Sequence, residues 1–117
     1  MRTAAYFLTG IVALEHFWFL VLEVFLWTKP LGRRTFGTTA EFAATTAAMM
    51  KNQGTYNGFL AAGLVWAVAT SNRSLAFFFL GCVLIAACVG GLTVKRSVLF
   101  VQGGPAAIAL GLWLLVG

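Results

Sequence analysis

AAYFLTGIVALEHFWFLVLEVFLW, from Ala4 to Trp27, decides the fold of this chain. It is a predominantly apolar run closed by Thr28-Lys29-Pro30, and a helix that crosses a bilayer needs about 20 such residues. Pro30 cannot continue the helix before it, and Trp27 and Lys29 suit the lipid–water boundary. Met1-Arg2 would serve as the charged start of a cleaved signal peptide. The run is about ten residues longer than a typical signal core, however, and lacks a small-x-small cleavage site. It also holds Glu15, His16 and Glu23. It reads as a retained first span, about residues 4–28.

The whole chain has the same character. Of its 117 residues, 61% are hydrophobic and 9% charged, against roughly a quarter charged in soluble domains. So little charge cannot clothe a soluble fold, and so many burial-driving residues exclude disorder. The expectation is an all-α, four-transmembrane-helix bundle forming a single integral membrane domain over residues 1–117. The net charge of +5 could suggest nucleic acid. Lys and Arg instead flank the apolar runs, as topology and lipid headgroups require, so the expected partner is the bilayer and not nucleic acid.

Beyond the first span, Leu31 to Gly37 reads as a basic loop carrying Arg33 and Arg34. Thr38-Thr39-Ala40-Glu41 fits a capping box, with Thr38 as cap and Glu41 reaching back. The helix begun there places Phe42, Thr46, Met49 and Met50 on one stripe. It reads as a short amphipathic helix or a cytoplasmic extension before the second span, about residues 38–51. The second span covers about 55–70, the third 75–94 and the fourth 97–116. Ser71-Asn72-Arg73-Ser74 and Lys95-Arg96 supply the turns between them. Cys82 and Cys88 lie inside an apolar stretch and read as buried structural thiols. Tyr6 and Trp113 read as anchors at the outer interface.

Basic residues orient this bundle. Lys29, Arg33, Arg34, Lys51, Lys95 and Arg96 gather on one side, with only Arg2 and Arg73 on the other. The positive-inside rule makes the richer side cytoplasmic and puts both termini outside.

Ionisable groups within hydrocarbon cost about 2.5–3.5 kcal/mol each on insertion scales, so each calls for a partner or a purpose. His16 and Glu23 fall within about 20° of one helix face, about 10 Å apart along the axis. Glu15 is turned by about 100° from His16. Counted at the helical rise, Glu23 lies about 7 Å from the cytoplasmic end of its span, Asn57 about 9 Å and Gln102 about 7 Å. Gln53 and Asn57 share a face of their helix. These residues would converge on a polar cavity open toward the cytoplasm, with Glu23 as its charged member and His16 at its floor. Trp18 and Tyr56 are candidate lining residues. The same groups could serve only as interhelical hydrogen-bonding glue, but amides combined with Glu23, His16 and Glu15 favour a ligand or proton site. Pro105, beside Gly103 and Gly104, frees the Val101 carbonyl at a similar depth. Small residues spaced by four, such as Gly54 and Gly58, Ala87 and Gly91, or Gly103 and Ala107, signal close helix packing.

One His and two separated Cys do not make a zinc site, so no metal is expected. Haem on His16 would need a second ligand signal, and none is present. No phosphate loop or nucleophile elbow occurs. No cofactor is expected.

Three stretches carry a family resemblance: Leu14-Glu15-His16-Phe17-Trp18 through Lys29-Pro30, Asn52-Gln53-Gly54-Thr55-Tyr56-Asn57-Gly58-Phe59, and Val101-Gln102-Gly103-Gly104-Pro105-Ala106. Together they resemble a family of small bacterial four-helix membrane proteins catalogued as a domain of unknown function. The resemblance implies four spans and a bacterial inner (cytoplasmic) membrane, and brings no activity. Gly10-Ile11-Val12-Ala13-Leu14-Glu15 is similar, more loosely, to the first helix of small multidrug-resistance transporters, which would imply Glu15 as a proton–drug coupling residue. The present chain departs from that pattern in its one-sided charge, the adjacent His16, and Glu23.

Three functions follow as expectations. The first is a site that binds or transforms a lipophilic small molecule. Glu23 and His16 would do acid–base work there, with Glu15, Gln53, Asn57, Gln102, Trp18 and Tyr56 contacting ligand. The second is a proton-coupled exporter acting as a homo-oligomer, with Glu15 or His16 titrating. The third is an accessory subunit of a larger membrane assembly.

Overall fold

Apolar runs free of internal Pro or paired Gly should fold as long helices. The computed structural model, which describes residues 1–116, shows helices and turns and no strand among them. Helix α1 is Arg2–Leu20, and it continues as a single π-helical turn, Val21–Phe25. The wide turn closes with the Leu26 N–H donating to the Val21 carbonyl at 3.1 Å, five residues back. Helices α2 (Pro30–Phe36), α3 (Ala40–Ala69), α4 (Arg73–Thr93) and α5 (Arg96–Val116) follow. Three segments are long and apolar enough to cross a membrane: Arg2–Phe25, Arg73–Thr93 and Arg96–Val116. Helix α3 has 30 residues, but Lys51, Asn52, Gln53 and Asn57 dilute its apolar character.

The structure corrects the reading between residues 31 and 51. The stretch read as a loop from Leu31 to Gly37 is helical as far as Phe36, because Pro30 occupies the first turn of the helix, where a missing N–H costs nothing and φ is already set. Gly37, at φ 68°, ends it, with the Gly37 and Thr38 amides both donating to the Arg33 carbonyl. The cap of α3 is Thr39, whose Oγ1 accepts from the Phe42 N–H at 3.1 Å, and not Thr38. No break divides residues 38–51 from the stretch that follows. Residues 40–51 are simply the first part of the single helix α3, Ala40–Ala69. Thr45, Thr46 and Thr55 return their hydroxyls to carbonyls four residues back, so their polar groups are satisfied within α3.

The chain falls into two compact units, Met1–Leu14 with Leu60 onward, and Glu15–Phe59. The first has the larger apolar core, with Val12, Leu64, Leu80, Val83 and Trp113 packed among alanines. Its α4 and α5 pack closely through glycines. A Cβ on Gly91 would meet Leu99 Cβ at 2.7 Å, and one on Gly103 would meet Ala87 Cβ at 3.3 Å. Asn72 caps α4 by accepting from the Leu75 N–H at 3.0 Å. Arg73 then lies over the Phe77 ring and donates to the Leu114 carbonyl at the end of α5. Helix α5 runs through Pro105 without interruption. Cys82 is half-buried and Cys88 exposed, and both are free thiols. Large apolar side chains cover the outer faces, Leu92 being 88% exposed and Phe7 70%. Surfaces of that kind suit hydrocarbon and not water.

In the second unit, α2 folds back on the end of α1. Gly32 is buried so tightly that a Cβ there would fall on the Leu26 carbonyl oxygen. Trp27 is 6% exposed. Its ring packs on Phe36 and its Nε1 donates to Thr46 Oγ1 at 2.9 Å. Trp27 and Trp113 are thus core residues, not interface anchors, and Tyr6 stacks on Trp113 at 5.0 Å. The indole N–H of each finds a threonine, which is what a buried Trp needs.

Candidate functional site

Glu23 lies in the π turn that ends the first apolar helix and is 8% exposed. Facing it on α3 is Asn57, 7% exposed. The Asn57 Nδ2 donates to Glu23 Oε1 at 2.6 Å, a charge-assisted distance if the carboxylate is ionised. Glycine makes this approach possible. A Cβ on Gly54 would sit 2.7 Å from Val24 Cγ2 and 3.0 Å from Glu23 Cβ, and one on Gly58 would meet Leu20 Cδ1 at 2.5 Å. The Gly54-x-x-x-Gly58 row lets α3 lie against residues 20–24. Asn57, between the two glycines, is thereby brought to the carboxylate. Glu23 Oε2 makes no hydrogen bond among the described residues, so it is open to a hydroxyl or amine from outside the chain.

His16 is nearer the start of the same unit and 1% exposed. Its ring meets Phe19 edge-on at 5.3 Å, and its Nδ1 stands 3.9 Å from Glu15 Oε1. Glu15 itself is half-buried. The unit therefore contains two polar centres, the Glu23–Asn57 pair and the Glu15–His16 pair. Gln53 is exposed, as are Trp18 at 45% and Tyr56 at 55%. Tyr56 stacks edge-to-face on Phe59. Gln102 is half-buried on α5, in the other unit.

Thr9 and Thr46 hold the two core tryptophans; the sequence reading places Thr46 on a helical stripe without that role and does not single out Thr9. Both hydroxyls also bond the carbonyl four residues back, and a threonine inside an apolar helix was the available signal. No group of three or more His, Cys, Asp or Glu side chains able to hold a metal occurs among the described residues.

An all-helical chain with three membrane-competent helices and a buried carboxylate–amide pair falls in the class of small helical membrane proteins. The chain belongs to the family described as "Protein of unknown function (DUF1304)", whose sequence pattern matches residues 10–114. A protein of Lactococcus lactis described as "Uncharacterized protein YpaA" is 33% identical over 107 residues, covering 88% of this chain and 90% of that protein. No solved structure matches the chain.

Proposed function

We propose that this chain is a four-span protein of the bacterial inner membrane that binds, and by acid–base chemistry transforms, a lipophilic small molecule at Glu23. The carrying observation is the buried hydrogen bond from Asn57 to Glu23 Oε1, which leaves Oε2 available. Asn57 fixes the carboxyl group, and the second oxygen exchanges a proton with a polar group on the ligand. His16 and Glu15 supply a second proton-exchanging pair on the same unit. Trp18, Gln53 and Tyr56, exposed on this unit, offer contacts to a molecule arriving from the surrounding lipid. In this reading α3 is the remaining span, both termini are outside, and the site opens toward the cytoplasmic side.

The test is to purify the full chain in mild detergent and identify co-purifying lipophilic metabolites by mass spectrometry. A compound enriched on the native chain and lost from both Glu23→Gln and Asn57→Ala supports the reading. Equal recovery from all three proteins sinks it.

A proton-coupled exporter is the second reading, favoured by the 3.9 Å approach of His16 Nδ1 to the half-buried Glu15. It requires proton-driven flux in liposomes that Glu15→Gln abolishes and Glu23→Gln leaves intact.

A further inference from the structure

Pro30, Arg33, Arg34, Gly37 and Thr38 line an open depression of about 490 Å³ at the C-terminal end of α2. Two of its polar atoms, Arg33 Nε and Thr38 Oγ1, are buried and meet no hydrogen-bond partner among the described residues. Neither arginine forms an ion pair with a carboxylate there. Buried polar atoms are almost always satisfied, and these two lie just beneath the surface of the depression, so a small rotation of the Arg33 and Thr38 side chains toward an anion there would satisfy both. The backbone explains why they meet. Gly37, in the left-handed region, turns the chain so that Thr38 returns to the last turn of α2, its amide bonded to the Arg33 carbonyl at 3.0 Å.

Two guanidinium groups and a hydroxyl make a donor set for a tetrahedral oxyanion, and the planar fork of Arg suits phosphate. The depression follows shortly after Phe25, where a helix able to cross a membrane ends. Phe25 is 65% exposed and Leu31, on α2 itself, 43% exposed, so acyl chains would find apolar surface in the same unit. We propose that this depression binds the phosphate of an anionic phospholipid headgroup, held by Arg33, Arg34 and Thr38. The site is distinct from the Glu23–Asn57 pair and does not depend on what that pair does.

The test reconstitutes the full chain in vesicles of phosphatidylcholine with phosphatidylglycerol, extracts it gently, and counts retained lipid by native mass spectrometry. The native chain should keep phosphatidylglycerol in preference to phosphatidylcholine. R33Q/R34Q should lower that retention about tenfold, the scale of one or two lost charge-assisted bonds. K95Q/R96Q, which removes two exposed charges elsewhere, should leave retention unchanged. Equal losses in the two double variants would reduce the effect to diffuse charge and overturn the site. Complete displacement of the lipid by millimolar inorganic phosphate would assign the site to soluble phosphate and overturn the lipid as its ligand. If R33Q/R34Q does not fold, R33K and T38V carry the test. R33K keeps the charge but loses the fork and the Nε donor, and T38V loses the hydroxyl. Each should lose retention at an unchanged melting temperature, and full retention by both would overturn the proposal.

Discussion

Trp113 donates its indole N–H to Thr9 Oγ1 at 2.8 Å, joining two residues 104 positions apart, and Thr9 in turn donates to the Ala5 carbonyl at 2.7 Å. Both side chains are buried. Replacing Thr9 by Val keeps the shape and orphans the indole, which costs about 1–3 kcal/mol. Thermal unfolding of the purified chain should show that loss. Trp113→Phe added to Thr9→Val should then cost less than it does alone, a coupling that a double-mutant cycle reads directly.

Gly54 should not tolerate a side chain. Its Cβ would press on Val24 Cγ2 and on Glu23 Cβ, and overpacking of this kind costs about 1–3 kcal/mol. Gly54→Ala is expected to lower the melting temperature and to part Asn57 from Glu23. At Gly81, nothing lies within 4 Å of an added Cβ, so Gly81→Ala should be neutral or slightly stabilising through helix propensity. The same loss in both variants would mean that the approach of α3 at Gly54 does not govern stability.

Glu23 should react with a lipophilic carbodiimide, a reagent that enters the bilayer and modifies carboxyl groups. Asn57→Ala removes the donor to Oε1 and should raise labelling at Glu23, while lowering stability by about 1–3 kcal/mol. Glu23→Gln preserves an oxygen for the Asn57 amide, so its melting temperature should stay close to that of the native chain. Peptide mapping after labelling identifies the modified carboxyl, and exclusive labelling of Glu41 would contradict an accessible Glu23 Oε2.

If α3 crosses the membrane, its ends face opposite compartments. At 30 residues it is about 45 Å long, enough to span with an extension. Glu41 and Thr70, both exposed, can be replaced singly by Cys in a chain carrying Cys82→Ala and Cys88→Ala. A membrane-impermeant maleimide added to intact cells should label the Thr70→Cys chain and spare Glu41→Cys until the membrane is opened. Labelling of both from outside would remove α3 from the spans.

Local chemistry made much of this legible. Helix α4 is legible from its apolar run, whereas Asn72 reads as a turn residue and the structure makes it the helix cap. Pro30 reads as the end of what precedes it, yet it also opens α2. Trp27 and Trp113 read as interface residues because each lies near the end of an apolar run. Their burial depends on Thr46 and Thr9, which other helices bring to them. Depth counting put Glu23 and Asn57 at one level, and the structure joins them. Helical spacing equally favoured Gln53, which is exposed. The close packing at Gly54 and Gly58 is legible in their spacing; the difference lies in the π turn at Glu23, which periodicity cannot register.

That π turn gives the chain a spare residue at its most sensitive point. A π turn is an α-helix with one residue let in, so a single deletion between positions 21 and 25 could relax it to ordinary helix without breaking the helix. The segment beyond would keep its register, because the wide turn has already absorbed the extra residue, and only the side chains inside the turn, Glu23 among them, would be re-aimed. Length variation here would be cheap for the helix and ruinous for the site. The position of one extra residue, more than the choice of any side chain, therefore sets which way Glu23 faces.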